Sequence, residues 1–198
     1  PGDPSSAAFF ASLSAMSSGG DLTLTGVCAN PTRVGAFRVL ERMGVRIGWE
    51  DIADSGGEPS ATIVIAPRAL KGTVIDGNEV PSLIDELPVL ACVAARAEGE
   101  TRVSGAAELR VKESDRIALV VRNLVAVGVD AEEFDDGFIV RGSDRPLRGR
   151  VVTEGDHRVA MAFGVLGAAS GGAIEIDDPA CVVVSYPTFW SDLANAVA

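Results

Sequence analysis

Residues 156–176 read DHRVAMAFGVLGAASGGAIEI, an aspartate followed by an alanine-rich apolar stretch, a glycine turn and a short alternating segment. The aspartate suits a helix cap, the apolar stretch suits a helix buried on all sides, and the alternation predicts a strand. The same order recurs at residues 3–27 and 85–104. Three copies of one pattern predict a fold built from repeated units.

The repeat assigns most of the secondary structure. It predicts inner helices at 6–16, 87–97 and 159–168, with following strands at 22–25, 101–104 and 173–176. Two copies continue with a helix, a glycine stop and two strands: 34–43, Gly44, 45–49 and 62–66, then 117–127, Gly128, 129–134 and 138–141. The third copy is cut short and finishes with a helix at 188–196.

These elements predict an α/β fold in which three related units pack around a helical core with pseudo-threefold symmetry. The alanine-rich helices are expected inside and the sheets outside. Residues 54–59 and 142–149 are expected to be exposed loops. We therefore expect one domain over residues 1–198, with the third unit incomplete.

The composition narrows the class of protein. A chain of 198 residues with 47% hydrophobic residues can bury a large core, and its net charge of -11 argues against a nucleic-acid partner. Charged residues interrupt the apolar stretches well before the roughly 18 residues that a membrane helix needs. The chain begins with Pro1 rather than Met and has no cationic targeting region, which suggests a fragment of a longer protein.

Cysteine usage is consistent with a reducing cytoplasm. Cys28, Cys92 and Cys181 are odd in number and widely spaced. They form no C-x-x-C pattern, so neither a disulfide framework nor a zinc site is indicated. We expect all three to be small buried side chains.

The run KESDRI at residues 112–117 concentrates charge at the predicted start of a helix. With Ser114 as the N-cap, Lys112, Glu113 and Arg116 can point into one cavity that binds a phosphate or a carboxylate. Glu113, balanced between cations and burial, can serve as a proton donor or acceptor. The alternative is a solvated helix start held by salt bridges.

A second run, GDHRVAM at residues 155–161, has the same form. Arg158 can face an anion at this helix terminus, and His157, the one histidine of the chain, is either a structural hydrogen-bonding residue or a catalyst. Asp85 precedes Pro88 at another helix start, where it is either a functional carboxylate or an N-cap, as Asp3 and Asp156 can also be.

The glycine pairs do not indicate a phosphate-binding loop. The pairs at residues 19–20 and 171–172 follow helices rather than precede them, and they match neither the G-x-x-x-x-G-K-[ST] nor the G-x-G-x-x-G motif. We assign them to turns.

Five segments together resemble the EPSP synthase (3-phosphoshikimate 1-carboxyvinyltransferase) family. These are RVKESDR (110–116), GDHRVAM (155–161), GDPSSAA (2–8), NPTR (30–33) and SYPTFW (185–190). The segments IDELP (84–88) and ELR (108–110) resemble its class II bacterial branch. The resemblance spans nearly the whole chain and implies the C-terminal domain of a two-domain protein, with three βαβαββ-type units in each domain. It also implies that the first segment of the full chain completes the third unit.

The resemblance implies an activity. The family transfers the enolpyruvyl group of phosphoenolpyruvate to the 5-hydroxyl of shikimate 3-phosphate and releases phosphate, in the shikimate pathway that leads to the aromatic amino acids. No metal or organic cofactor is expected. The implied partner is the missing N-terminal domain, and we expect the chain alone to lack turnover.

The resemblance also implies roles for single residues. Asp85 matches the aspartate that contacts the shikimate hydroxyls and accepts a proton, and Lys112 matches the lysine that touches the same ligand. Glu113 matches the glutamate of proton transfer at the methylene carbon. Arg116 and Arg158 match the arginines that clamp phosphoenolpyruvate.

Three positions carry weaker implications. His157 matches a histidine near the site, with no assigned role. Glu108 and Val184 depart from the asparagine and lysine that other members have there, so those two roles do not transfer.

Two alternatives remain open. One is the related enolpyruvyl transferase that acts on UDP-N-acetylglucosamine, although the charged runs favour the shikimate enzyme. The other is a folded half-domain that binds anions without catalysis.

Overall fold

The computed structural model describes residues 1–171 and 173–197, which contain six α-helices and nine β-strands. The helices are α1 (Pro4–Met16), α2 (Gly35–Arg42), α3 (Leu87–Ala94), α4 (Arg116–Ala126), α5 (His157–Ala169) and α6 (Phe189–Val197). The strands are β1 (Leu22–Cys28), β2 (Arg46–Ser55), β3 (Glu58–Ala66), β4 (Val74–Ile75), β5 (Glu100–Val103), β6 (Asp130–Phe134), β7 (Gly137–Arg141), β8 (Gly149–Val151) and β9 (Ile174–Ile176). Short 3₁₀ helices cover Val80–Ser82, Ile84–Glu86, Ala107–Val111 and Pro179–Val184. No helix within these residues is long and apolar enough to cross a membrane.

Helices α1, α3 and α5 pack against one another in the centre of the molecule. Their alanines, among them Ala8, Ala91 and Ala160, are buried. Small side chains let neighbouring helices approach closely, and a helix that is apolar on every side is stable only when it is enclosed. The predicted inner helical core is confirmed.

Each unit contributes one sheet to the outside. The first sheet has the order β1-β3-β2, the second β4-β5-β7-β6, and the third contains only the parallel pair β8-β9. The first two sheets are built around antiparallel hairpins, β2 with β3 and β6 with β7. The predicted α/β architecture with a smaller third unit is confirmed.

Two glycines end the outer helices as predicted. Gly44 follows α2 and Gly128 follows α4, and both have positive φ angles, 108° and 98°. Glycine adopts this conformation without the strain that a Cβ would cause, so it turns the chain back towards the next strand.

The structure corrects the two predicted loops. Residues 54–59 are a hairpin tip in which β2 and β3 pair up to Ser55 and Glu58 around Gly56 and Gly57. Because turn-forming residues dominate this stretch, its sequence does not indicate that both of its ends belong to paired strands. In the second loop, Gly149 already belongs to β8.

Two of the strands were not predicted at all. β4 and β8 contain only two and three residues, too few to show alternation. Of the glycine pair at residues 171–172, residue 172 lies outside the described residues; Gly171 follows α5 in a turn, as predicted.

The cysteines are less buried than predicted. Cys92 lies in the core, where burial raises the pKa of its thiol, but Cys28 and Cys181 are only half-buried. Cys28 lies on the outer strand β1, where its thiol is 3.9 Å from a carboxylate oxygen of Glu58. The prediction is therefore wrong for two of the three, because they lie on outer elements rather than inner helices.

The three inner helices begin at the same end of the molecule. Arg158 in the first turn of α5 reaches the carbonyl group of Asp85, just before α3, and Ser5 in the first turn of α1 lies beside Glu86. A cavity of about 460 Å³ lies at the opposite end, between the last turn of α1 and the segment that follows α3. The partial positive charges of three helix N-termini therefore face one surface.

Candidate functional site

Arg116, the first residue of α4, is the centre of a cluster of charged side chains, and its own side chain is only 1% exposed. Its Nε donates to Asp156 Oδ2 at 2.8 Å. Its Nη1 donates to Asp85 Oδ1 at 3.1 Å, and its Nη2 donates to Glu113 Oε2 at 2.6 Å. A buried guanidinium remains charged and needs such partners, so three chain segments are joined at one point.

Asp156 is the buried partner in this cluster. It caps α5 by accepting from the backbone N–H groups of Arg158 and Val159, at 2.9 and 3.3 Å. Its side chain is fully buried, and burial alone would raise its pKa. The hydrogen bond and charge of Arg116, with the hydroxyl of Ser114, outweigh burial and lower the pKa of Asp156 below its usual value.

The N-cap of α4 is Asp115, not Ser114 as predicted. The Asp115 carboxylate accepts from the backbone N–H of Ala118 at 3.0 Å. The Ser114 hydroxyl donates instead to Asp156 at 2.9 Å. A carboxylate is the stronger acceptor for a helix N-terminus, and the neighbouring buried Asp156 provides a charged partner for the hydroxyl.

Asp85 and Glu113 are the exposed partners of Arg116, with side chains that are 39% and 54% exposed. Asp85 lies in the 3₁₀ helix Ile84–Glu86 and makes no capping hydrogen bond to α3. The capping alternative is therefore wrong for Asp85, although it is confirmed for Asp3 and Asp156. Both exposed carboxylates are accessible to a ligand while a permanent cation holds them in place.

Arg158 lies next to Arg116 in this cluster, but its guanidinium donates fewer hydrogen bonds to the protein. Its Nη1 donates to the carbonyl oxygen of Asp85 at 3.2 Å, and its Nη2 is 3.7 Å from Asp85 Oδ2. Within the described residues this carbonyl accepts the one hydrogen bond that the Arg158 side chain donates. Its remaining N–H groups can bind an anion.

Lys112 and His157 flank the cluster. The Nζ of Lys112 is 3.0 Å from Glu108 Oε1, so the glutamate that departs from the family pattern pairs with the predicted ligand-binding lysine. Burial lowers the pKa of His157, and Arg158 acts in the same direction against the opposing effect of Asp156. The neutral imidazole is therefore favoured. Val184, the other departure, is exposed.

The residue types of this cluster are suited to both anion binding and proton transfer. Two arginines lie where helix N-termini face the surface, and a planar guanidinium fork suits a carboxylate or a phosphate. The exposed carboxylates beside them can accept or donate a proton, or yield their place on an arginine to an anionic ligand.

Most residues of this cluster were predicted from the sequence, but the roles of two of them were not. Asp156 was considered only as a cap, and its ion pair with Arg116 joins residues 40 positions apart. No role was assigned to Glu86, which is buried beside Arg158. The available signal was a second carboxylate, next to Asp85, directly before the apolar start of a helix.

The comparisons with known proteins all point to one family. The family described as EPSP synthase (3-phosphoshikimate 1-carboxyvinyltransferase) matches residues 1–193. The 3-phosphoshikimate 1-carboxyvinyltransferase of Sulfurihydrogenibium sp. (strain YO3AOP1) is 48% identical over 193 residues, which are 98% of this chain and 45% of that protein. The protein of the same name from Aquifex aeolicus (strain VF5) is 47% identical over 198 residues, 100% of this chain and 46% of its own.

Solved structures give the same fold. EPSP synthase from Acinetobacter baumannii superposes with a TM-score of 0.94 at 42% identity, covering 100% of this chain and 46% of its own. The enolpyruvyl transferase NikO from Streptomyces tendae has a TM-score of 0.73 at 19% identity, over 98% of this chain and 42% of its own, and shares the fold. The chain spans about half the length of the curated relatives it matches. It belongs to the EPSP synthase family.

Proposed function

We propose that residues 1–198 are one domain, the C-terminal domain of a two-domain enolpyruvyl transferase. The whole enzyme transfers the enolpyruvyl group of phosphoenolpyruvate to the 5-hydroxyl of shikimate 3-phosphate and releases phosphate. One observation carries the proposal: in a chain of this family, Arg116 holds two exposed carboxylates and one buried carboxylate. The second domain supplies the opposite wall of the site.

Phosphoenolpyruvate binds to Arg116 and Arg158. The N–H groups that Arg158 leaves open donate hydrogen bonds to the ligand first. The ligand carboxylate or phosphate then takes the place of Glu113 or Asp85 on Arg116, since both of these side chains are exposed. Asp156 stays in place because it is buried and also caps α5.

Displacement of the two carboxylates frees them for proton transfer. Asp85 accepts the proton of the 5-hydroxyl of shikimate 3-phosphate while the oxygen of that hydroxyl bonds to the central carbon of phosphoenolpyruvate. The double-bond electrons take a proton at the methylene carbon from Glu113, which has taken up that proton from solvent after its release from Arg116, with Lys112 nearby. In the second step the new methyl group returns the proton to the Glu113 carboxylate, the double bond forms again, and the carbon–oxygen bond to phosphate breaks, its electrons leaving with the phosphate.

The shikimate ligand contacts Asp85 and Lys112. Lys112 now pairs with Glu108, whose side chain is largely exposed, so the ligand replaces a weakly held partner. We place the enzyme in the cytoplasm, which the free thiols of the three cysteines support.

Single substitutions in the full-length enzyme test these assignments. We expect Arg158→Ala to raise the KM for phosphoenolpyruvate by roughly 10- to 100-fold, since a charged hydrogen bond contributes about 1.5–3 kcal/mol. The KM for shikimate 3-phosphate should change much less. Lys112→Ala should raise the KM for shikimate 3-phosphate and change the KM for phosphoenolpyruvate much less. Arg141→Ala, on an outer strand, is the control, and equal effects of the two site substitutions on both substrates would refute the assignment.

A further inference from the structure

Glu86 is a buried carboxyl group for which the proposed reaction has no use. It ends the 3₁₀ helix Ile84–Glu86, and its residue is 5% exposed. It occupies the N-cap position of α3, yet its backbone is helical and its side chain makes no capping hydrogen bond. Among the described residues, its Oε1 has no hydrogen-bond partner. A buried oxygen without a partner is costly, so its retention needs an explanation.

The side chain of Glu86 lies directly beside Arg158, the arginine of the site that keeps open N–H groups. Its Oε1 is 3.7 Å from Nη1 of Arg158. That separation is too long for a hydrogen bond but short for two groups shielded from water, where charges attract strongly. The same Nη1 is held by the carbonyl oxygen of Asp85. Nη1 of Arg158 therefore lies between these two acceptors, while Nη2 faces Asp85 Oδ2 at 3.7 Å.

The charge of Glu86 depends on all the groups that face it. Burial raises its pKa, while Ser5 on α1 lowers it by hydrogen bonding. Arg158 on α5 and Arg33 before α2 also lower it, and Asp85 in the same 3₁₀ helix raises it. Burial is the largest of these effects, so the neutral carboxyl persists to a higher pH than it would in an exposed glutamate.

We propose that Glu86 is a positioning residue that holds Arg158 at the mouth of the site and regulates how much of its positive charge reaches an anionic ligand. Neutral Glu86 keeps the guanidinium in place by packing against it, without a hydrogen bond, and leaves its charge to the ligand. Ionised Glu86 competes with the ligand for the same guanidinium. Anion binding therefore weakens as the pH rises through the pKa of Glu86. The identity of that anion as phosphoenolpyruvate rests on the proposed function.

Kinetics of the full-length enzyme test the effect on the ligand. Glu86→Gln keeps the shape and hydrogen-bonding capacity but cannot ionise. We expect it to lower the KM for phosphoenolpyruvate several-fold at the alkaline end of the pH range and to remove that part of the pH dependence. Glu86→Ala should raise the same KM at every pH. The KM for shikimate 3-phosphate should stay unchanged in both, as should all parameters of the control Glu132→Gln on β6.

A wild-type pH profile in Glu86→Gln, or equal changes in both KM values, would overturn the proposal. A second measurement needs no turnover: ¹⁵N relaxation of the arginine side chains in the 198-residue chain. We expect the Arg158 guanidinium to lose order in Glu86→Ala and keep it in Glu86→Gln, with Arg116 ordered in both as evidence of folding. Unchanged order of Arg158 in Glu86→Ala would also overturn it. Absence of turnover in the wild-type enzyme would refute the proposed function, whereas the relaxation data would still decide the role of Glu86.

Discussion

Arg116 combines a structural and a chemical role in one side chain. Its bond to the fully buried Asp156 fixes the start of α4 against the start of α5. Its bonds to Asp85 and Glu113 end on carboxylates that are open to solvent. A ligand can therefore exchange with the second pair without breaking the first.

We expect Arg116→Met to lower the free energy of unfolding of the chain by about 3–5 kcal/mol, because it leaves buried Asp156 without its counter-charge. Urea denaturation measures the change. The matched control is Arg141→Met, because Arg141 also pairs with three carboxylates, all of them exposed on the outer sheet. Its loss should be far smaller, and equal losses would contradict a buried network at Arg116.

The lowered pKa of Asp156 predicts a dependence of stability on pH. The folded-state pKa lies below the unfolded value of about 4, so this stabilisation is complete above that pH. It is lost progressively as the pH falls through the lower folded-state pKa. We expect the stability difference between wild type and Asp156→Asn, which keeps a capping oxygen, to shrink over this acidic interval. Urea denaturation at a series of pH values measures it, and a difference independent of pH would contradict the ion pair.

At the scale of elements, the parallel inner helices explain where the site lies. Their N-termini meet at one end, and Asp3 and Asp156 cap two of them with carboxylates. The third, α3, starts without a side-chain cap. The acidic residues before it, Asp85 and Glu86, face the arginines instead. At the start of α3, residues of the site therefore stand where the other two inner helices have a capping residue.

One buried amide joins α4 to the residue that follows β8. Asn123 donates to the carbonyl oxygen of Val152 at 2.8 Å and accepts from its N–H at 2.9 Å. We expect Asn123→Ala to lower the free energy of unfolding by about 1–3 kcal/mol, since it leaves both the N–H and the carbonyl group of Val152 without a hydrogen-bond partner. The Val152 amide should also exchange faster with deuterium. Asn195→Ala on α6 is an exposed control, and unchanged exchange at Val152 would contradict the role of Asn123.

The sequence predicts those elements that have a local signal. The inner helices and the two hairpins followed from composition and alternation, and Gly44 and Gly128 end their helices as expected. β4 and β8 were missed because their few residues become strands only by pairing with β5 and β9. The pairing of Arg116 with Asp156 was missed for a related reason, since no local pattern reports that two residues 40 positions apart lie side by side. The roles of the site residues remain predictions.

At the scale of the whole molecule, three features support the proposed second domain. The third sheet has two strands where the others have three and four. The carboxylates of Asp85 and Glu113 are open to solvent. The chain also spans about half of its curated relatives. A second domain would cover the open side of the site and exclude water from the proton transfers.

The most direct test of the proposed function is phosphate release by this chain mixed with the N-terminal half that we assign to the same enzyme. The account predicts release only when both halves, phosphoenolpyruvate and shikimate 3-phosphate are present. Turnover should fall sharply with Asp85→Asn and remain with the control Glu132→Gln. Phosphate release by the chain alone, or a complex of the two halves that converts neither substrate, would contradict it.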